Sequence, residues 1–144
     1  MKVIYHAGVF DLFHAGHLSV LERSRALGDM LIVGVLTDDG AAAYKPRRPV
    51  IPQHERLAIV RGLRCVDAAF LQPGTDPSPV LEALAAIGRC PAVMAHGDDW
   101  SELREGSKTL ARLGIELELL PYGSGKGTTG IISRIRSQEA ACSA

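Results

Sequence analysis

Two histidines carry the first chemical suggestion in this chain. In "GVFDLFHAGHLSVLERSRALGD" His14 and His17 flank Gly16, and the apolar spacing that follows reads as a helix. Both imidazoles therefore stand where a helix begins, and there the free N–H groups and the positive end of the dipole favour an anion. Two rings three residues apart at that spot suit a phosphate, and Gly16 lets backbone approach it closely. Other readings compete on the residues alone. HxxH supplies two zinc ligands, but no second Cys or His cluster completes a set, so His96 or His6 would have to arrive by folding. A pair of capping or solvated histidines is the plainer alternative.

A second anion site is suggested by "YGSGKGTTG", residues Tyr122 to Gly130. Its Gly125 and Lys126 match the GK of a GxxxxGK[ST] phosphate loop. Gly127 stands where the hydroxyl residue belongs, however, and Leu120 where the first glycine belongs. The stretch also lies near the C-terminus rather than after a first strand. A P-loop is excluded, and the glycines with Thr128 and Thr129 are left as donors of backbone N–H and hydroxyl groups.

Elements that position these loops are legible as strand-length apolar runs alternating with helical segments. "KVIYHAGVF", "MLIVGVL", "VDAAFL", "PAVMAHG" and "IELELLP" predict five strands. Helices separate them, so the expectation is an α/β fold with a five-stranded parallel sheet, right-handed crossovers and flanking helices. The helical segments are "HLSVLERSRALG", ending at Gly28; "QHERLAIVRGLR"; "SPVLEALAAIG", with Ser78 as N-cap and Pro79 at N1; "SELREGSKTLARLG"; and "TTGIISRIRSQ", with Thr128 as a candidate cap. In an open sheet of this kind, ligands lie outside the carboxyl ends of the strands. The loops after the strands are where chemistry is expected.

At 144 residues the chain is one domain. Residues 1–137 form it, and the small, unpatterned "QEAACSA" from residue 138 onward is expected to be a frayed tail or the start of a linker. Lys plus Arg and Asp plus Glu each number 16, so no global field recruits nucleic acid or an anionic membrane, and any polyanion site must be local. No apolar run approaches a membrane span and no signal peptide opens the chain, which makes the cytoplasm the default location. Cys65, Cys90 and Cys142 lack CxxC spacing, which suggests neither a disulfide framework nor a zinc site.

"GVFDLFHAGH" resembles the GxFDxxHxGH signature of the cytidylyltransferase family of HxGH nucleotidyltransferases. "KPRRPVIPQHERLAIVRGLRCVD" is similar to the family's middle segment, "HGDDW" to its GDDW element, and "LPYGSGKGTTGII" stands in the place of its RTEGISTT loop. The four fall in family order across nearly the whole chain. The resemblance implies a Rossmann-like nucleotidyltransferase fold and attack of an acceptor's phosphoryl oxygen on the α-phosphorus of CTP. Pyrophosphate would leave with magnesium bound to it, the metal held through the triphosphate rather than by protein ligands. Such an in-line displacement depends on alignment and charge stabilisation.

The same resemblance implies roles for individual residues. His14, His17 and Lys45 would be catalytic, with Arg47 and Arg48 sharing the charge of Lys45. Gly8, Val9, Phe10, Gly16, Gly97, Asp98, Asp99, Trp100, Tyr122, Gly125, Lys126, Thr128 and Thr129 would bind the nucleotide. Asp11, Arg56 and Arg64 would bind the acceptor, the two arginines eight apart on one helical segment. Several positions keep an alternative: Asp11 as a turn or cap, Asp98 and Asp99 as magnesium ligands, Trp100 as core. In the last motif Tyr122 replaces the family's phosphate-binding arginine, and Lys126 is the expected substitute. Overall likeness runs to small bacterial glycerol-3-phosphate cytidylyltransferases, and most specifically to the 2-hydroxyethylphosphonate cytidylyltransferases of fosfomycin biosynthesis. That subfamily implies a homodimer and a fused phosphoenolpyruvate mutase domain. An ATP-using adenylyltransferase and a non-catalytic nucleotide sensor are the rival readings.

Overall fold

A computed structural model describes residues 1–98, 105–121 and 127–143. All five expected strands form: β1 (Val3–Gly8), β2 (Met30–Leu36), β3 (Ala68–Gln72), β4 (Val93–Gly97) and β5 (Glu116–Leu120). They make one parallel sheet in the order β3-β2-β1-β4-β5. Between β1 and β4 the order reverses direction, which opens a crevice at their carboxyl ends. Helices α1 (Ala15–Arg25), α2 (Asp38–Ala42), α3 (Gln53–Arg61), α4 (Ser78–Ala86), α5 (Ser107–Leu113) and α6 (Gly127–Cys142) complete the chain.

Strand side chains alternate between the two faces, and both faces are covered. Ile4, Leu31 and Val33 pack with Val20 and Leu21 of α1 and with Leu57 and Val60 of α3. Tyr5, Ile32 and Met94 pack on the other side with Leu81 and Leu84 of α4 and Leu110 of α5. A sheet covered on both faces reads as continuous apolar runs, as "MLIVGVL" does. On the edge strand β5 Glu116 and Glu118 are exposed, and so are Leu117 and Leu119 between them, leaving only Leu120 buried.

One polar chain crosses the second face. The Tyr5 hydroxyl donates to Gln72 Oε1, and Gln72 Nε2 donates to the Gly74 carbonyl at 2.7 Å. Tyr5 on β1 thus reaches β3 over β2, and it passes above Gly34. A Cβ at residue 34 would come within 2.1 Å of the Tyr5 hydroxyl, so only glycine admits the crossing. Burial holds the Tyr5 phenol far above its ordinary pKa.

Several boundaries differ from the sequence expectation. The α1 helix stops at Arg25 with Ala26 as its C-cap, short of Gly28. Pro77, not Ser78, is the N-cap of α4, and Asp76 Oδ1 accepts from the Ser78 N–H at 2.9 Å. A short α2 was not expected, although its Thr37 cap accepts from the Gly40 N–H at 3.0 Å and its first turn carries Asp38 and Asp39. Residues 138–142, expected to be unstructured, continue α6 as far as Cys142. Ala, Glu and Gln extend a helix at little cost, which "QEAAC" illustrates.

Candidate active site

At the crevice between β1 and β4 lies a cavity of about 570 Å³. It is walled by the end of β1 and the loop beyond it, by residues 44–49, by His96, and by Thr128 and Thr129 of α6. Gly8, Val9, Phe10, Asp11, His17 and Lys45 all line it, as the sequence led us to expect, together with Arg47 and Arg48.

The histidine pair owes its geometry to the helix start. His14 is the N-cap of α1, and its Nδ1 accepts from the Gly16 N–H at 3.0 Å. His17 Nδ1 accepts from the His14 N–H at 3.3 Å. The imidazoles therefore play the parts that Ser and Glu play in a capping box. The capping alternative is correct, and it determines the chemistry rather than replacing it. A ring nitrogen that accepts carries no proton, so in each neutral ring the proton is on Nε2. The rings stack with centroids 3.9 Å apart. Burial lowers the pKa of His14. Burial, then the neighbouring His14 and Lys45 charges, bring His17 down to about 4 against a smaller pull from Asp11. His17, which lines the cavity, therefore offers it a neutral Nε2–H donor and not an imidazolium ion at neutral pH, whereas His14 stands behind it, outside the lining.

Gly16 has a task within the chain that the sequence did not show. A Cβ there would lie 2.7 Å from the His14 ring, so glycine makes room for the imidazole that caps its own N–H.

Asp11 is the junction of three segments. Oδ2 accepts from the Val50 N–H at 2.8 Å, and Oδ1 from the Ile51 and Leu12 N–H groups at 2.9 and 3.0 Å. Its carbonyl accepts from Thr128 Oγ1 at 3.0 Å. Asp11 thus ties the β1–α1 loop to the stretch after the cationic residues and to the start of α6. Asp11 therefore orders these loops while it also lines the cavity. Phe10 and Leu12 on either side have φ of 56° and 47°, a left-handed backbone that costs a side-chain-bearing residue about 1–3 kcal/mol. Such conformations persist where the surroundings over-determine them, and Asp11 supplies the bonds that do so.

Arg56 requires a correction. Expected at the acceptor, it is wholly buried and lies outside the cavity wall. Its Nη1 donates to the Val9 and Leu36 carbonyls at 2.6 and 2.8 Å, Nε to the Ile51 carbonyl at 2.8 Å, and Nη2 to Asp38 Oδ1 at 2.8 Å. Burial pushes the Asp38 carboxyl upward, but the Arg56 hydrogen bond, the Gln53 N–H and the Arg56 and Arg48 charges outweigh it and hold it below the ordinary range. Arg56 is a bracket joining the ends of β1 and β2 to residue 51. With Asp11 on the Ile51 N–H and Arg56 on its carbonyl, the root of the cationic segment is held on both sides.

Arg64 also departs from expectation. The α3 helix ends at Arg61, so Arg64 lies beyond it and is not on one helical segment with Arg56. The Asp67 N–H donates to the Leu31 carbonyl at 3.0 Å, which puts this turn beside the strand beginnings, at the opposite end of the sheet from the cavity. Within one chain Arg64 does not reach the site.

Lys45, Arg47 and Arg48 are exposed. Lys45 Nζ lies 5.7 Å from the Tyr44 ring centroid, and Arg48 Nη1 donates to Asp39 Oδ1 at 2.9 Å. Gly97 ends β4, and the Asp98 N–H donates to the Leu120 carbonyl at 2.9 Å; neither lines the cavity. The calls on Asp99, Trp100, Tyr122, Gly125 and Lys126 lie outside the described residues. Sequence reasoning assigned His6 and His96 only as would-be zinc ligands. Both line the cavity with rings stacked 5.7 Å apart, yet no group of three or more His, Cys, Asp or Glu side chains suited to a metal occurs among the described residues. Their place at the ends of β1 and β4, beside the switch point, was the available signal.

Parallel order, switch-point cavity and a histidine-capped helix with cations opposite define a nucleotidyltransferase site, and comparison with known proteins agrees. The cytidylyltransferase-like family profile matches residues 5–117, and the chain belongs to that family; it is a nucleotidyltransferase. It is 35% identical over 140 residues to the "Bifunctional protein HldE" of Magnetococcus marinus, covering 96% of this chain and 28% of that protein. It is 36% identical over 138 residues to the protein of the same name from Citrifermentans bemidjiense, covering 94% and 27%. The chain thus spans little more than a quarter of these relatives. Among solved structures, the lipopolysaccharide core biosynthesis protein of Thermoplasma volcanium is similar in fold, with a TM-score of 0.64 at 24% identity over 88% of this chain and 99% of that one. Among the described residues no helix is long and apolar enough to cross a membrane.

Proposed function

We propose that the protein transfers a nucleoside monophosphate from a nucleoside triphosphate to a small acceptor bearing a phosphate or phosphonate, releasing pyrophosphate. One observation carries this reading: His17, Lys45, Arg47, Arg48, Thr128 and Thr129 converge on one cavity, so hydrogen-bond donors and cations surround a space fit for several phosphoryl groups. An acceptor oxygen attacks the α-phosphorus, the bond to the bridging oxygen breaks, and pyrophosphate carries away the electron pair. His17, with His14 beside it, donates from Nε2 to the phosphates, and Lys45 with its neighbours offsets the charge of two anions brought together. A magnesium ion held through the triphosphate would offset part of its charge, with no protein ligand assigned to it. The protein's part is alignment and charge stabilisation in a fixed frame.

CTP is the proposed donor and 2-hydroxyethylphosphonate the proposed acceptor, on the motif resemblance of "GVFDLFHAGH" and "HGDDW". A homodimer, in which Arg64 reaches a partner's site, belongs to the same reading. The relatives favour a second one. Those named HldE and the similarity in fold to a lipopolysaccharide core protein support a sugar phosphate acceptor with ATP as donor. Incubation with CTP or ATP and magnesium against 2-hydroxyethylphosphonate, glycerol 3-phosphate and a sugar 1-phosphate, followed by phosphorus NMR, separates them. A new diphosphate resonance from CTP and the phosphonate supports the first reading; product only from ATP and the sugar phosphate replaces it with the second. No product from any pair overturns both.

A further inference from the structure

The polar groups just assigned to the phosphates are donors, and Asp11 spends its carboxylate oxygens on backbone N–H groups. His6 is different. It is 2% exposed yet lines the cavity, and its hydrogen bonds determine which nitrogen carries the proton. Ser24 Oγ donates to the Val20 carbonyl at 2.8 Å and has no second hydrogen to give. His6 Nδ1, 2.9 Å from that oxygen, must therefore be the donor, which leaves the lone pair on Nε2. Nε2 has no hydrogen-bond partner among the described residues. The ring is held against rotation by His96, stacked at 5.7 Å and 9°, and by Phe10 at 5.9 Å.

Resting on the transfer reaction above, we propose that His6 reads the acceptor substrate: its Nε2 accepts a hydrogen bond from a hydroxyl three or four bonds from the acceptor's phosphorus. An anion has nothing to give this nitrogen, so the group it meets must carry O–H or N–H. Such donors occur on a hydroxylated acceptor and on a nucleoside. The first fits better, because His6 and His17 line the same cavity and pack on the same Phe10 ring, at 5.9 and 5.6 Å, which puts His6 near the group assigned to the phosphates, whereas a base amine sits beyond the ribose. Burial, then the neighbouring His96 and His17, bring the His6 pKa down to about 3, so the ring stays an acceptor throughout the physiological range. A nearly buried acceptor left unpaired disfavours an analogue that lacks the hydroxyl.

Calorimetry tests this without requiring turnover. Three hydroxylated anions, 2-hydroxyethylphosphonate, glycerol 3-phosphate and a hexose 1-phosphate, are each compared with a partner lacking hydroxyls: ethylphosphonate, propyl phosphate and cyclohexyl phosphate. The expected result is that at least one hydroxylated anion binds about tenfold or more tightly than its partner. In His6→Phe the ratio falls to about one, the affinity for CTP and ATP is kept, and Ser24 keeps its bond to Val20. His6→Gln, whose amide oxygen can stand near the position of Nε2, recovers part of the ratio. In the wild-type protein the ¹⁵N resonance of His6 Nε2 shifts with the hydroxylated ligand and not with its partner, a readout that survives if a variant fails to fold. Equal binding of both members of every pair, or a ratio retained in His6→Phe, overturns the proposal. So does a loss confined to nucleotide affinity, which would place the donor on the nucleoside. Discrimination without turnover from either triphosphate would leave His6 as the reader and defeat the transfer reaction instead.

Discussion

Two walls of the cavity are built on opposite plans. On the β1–α1 side the imidazoles are fixed by the chain that carries them: His14 caps Gly16, His17 caps His14, and both rings stack. On the facing side Lys45, Arg47 and Arg48 are exposed, and the segment is held at its ends. The Lys45 N–H donates to the Ala41 carbonyl at 3.0 Å, and Asp11 and Arg56 grip residue 51. Fixed donors suit the group whose geometry changes least, and cations on a segment anchored only at its roots suit charge that arrives and departs. Precision and reach are thus divided between two segments of one cavity.

Disabling the fixed wall should have the largest effect. His17→Ala is expected to lower nucleotidyl transfer by about 10²- to 10³-fold, as loss of one preorganised donor does. It should cost about 1 kcal/mol of stability through the lost cap, measured by turnover and by thermal melting. Removing the bracket behind the other wall comes next. Arg56→Ala leaves the Val9, Leu36 and Ile51 carbonyls and Asp38 without their donor and should destabilise the fold by about 3–5 kcal/mol in urea titration. A melting point unchanged in that variant would remove Arg56 from the framework and return it to the site.

The fixed wall also predicts a dependence on acid. His17 and His6 have folded pKa values of about 4 and about 3, below the ordinary 6.5, so the unfolded chain takes up protons first. Their contribution to stability is complete above pH 6.5 and is lost as the pH falls toward the folded values. From pH 7 to 5.5 the loss is about 1 kcal/mol for each ring, visible as a falling midpoint in urea, and His17→Gln should flatten part of the slope. Lys45→Ala is expected to reduce transfer about 10- to 100-fold with the fold intact, and added salt should weaken the wild type in the same direction. Arg48→Ala, which breaks an exposed pair with Asp39, should change stability by less than about 0.5 kcal/mol. A larger loss of activity from Arg48 than from Lys45 would reverse the order of the two cations.

Much of this arrangement was legible before any coordinates. Five apolar runs alternating with helices gave the sheet, because strands buried on both faces cannot hide among polar neighbours. Histidines at a helix start, cations after α2 and the hydroxyls at α6 gave the outline of the cavity. What failed was whatever depends on where a long side chain turns. Arg56 reads from its motif as a ligand contact, but three carbonyls at strand and loop ends need a donor in the interior, and the pattern of residues does not reveal them. Arg64 was misplaced because α3 ends at Arg61 and not three residues later. The clearance that Gly16 gives to the His14 ring was hidden because it depends on how that ring turns.

The bridge from Tyr5 over Gly34 to Gln72 makes that phenol an internal gauge of the sheet. Because β1, β2 and β3 must separate before its proton can leave, tyrosinate absorbance in strong alkali should have a component that rises only as fast as the strands part. The kinetics of that single colour change would report opening of the sheet without any label.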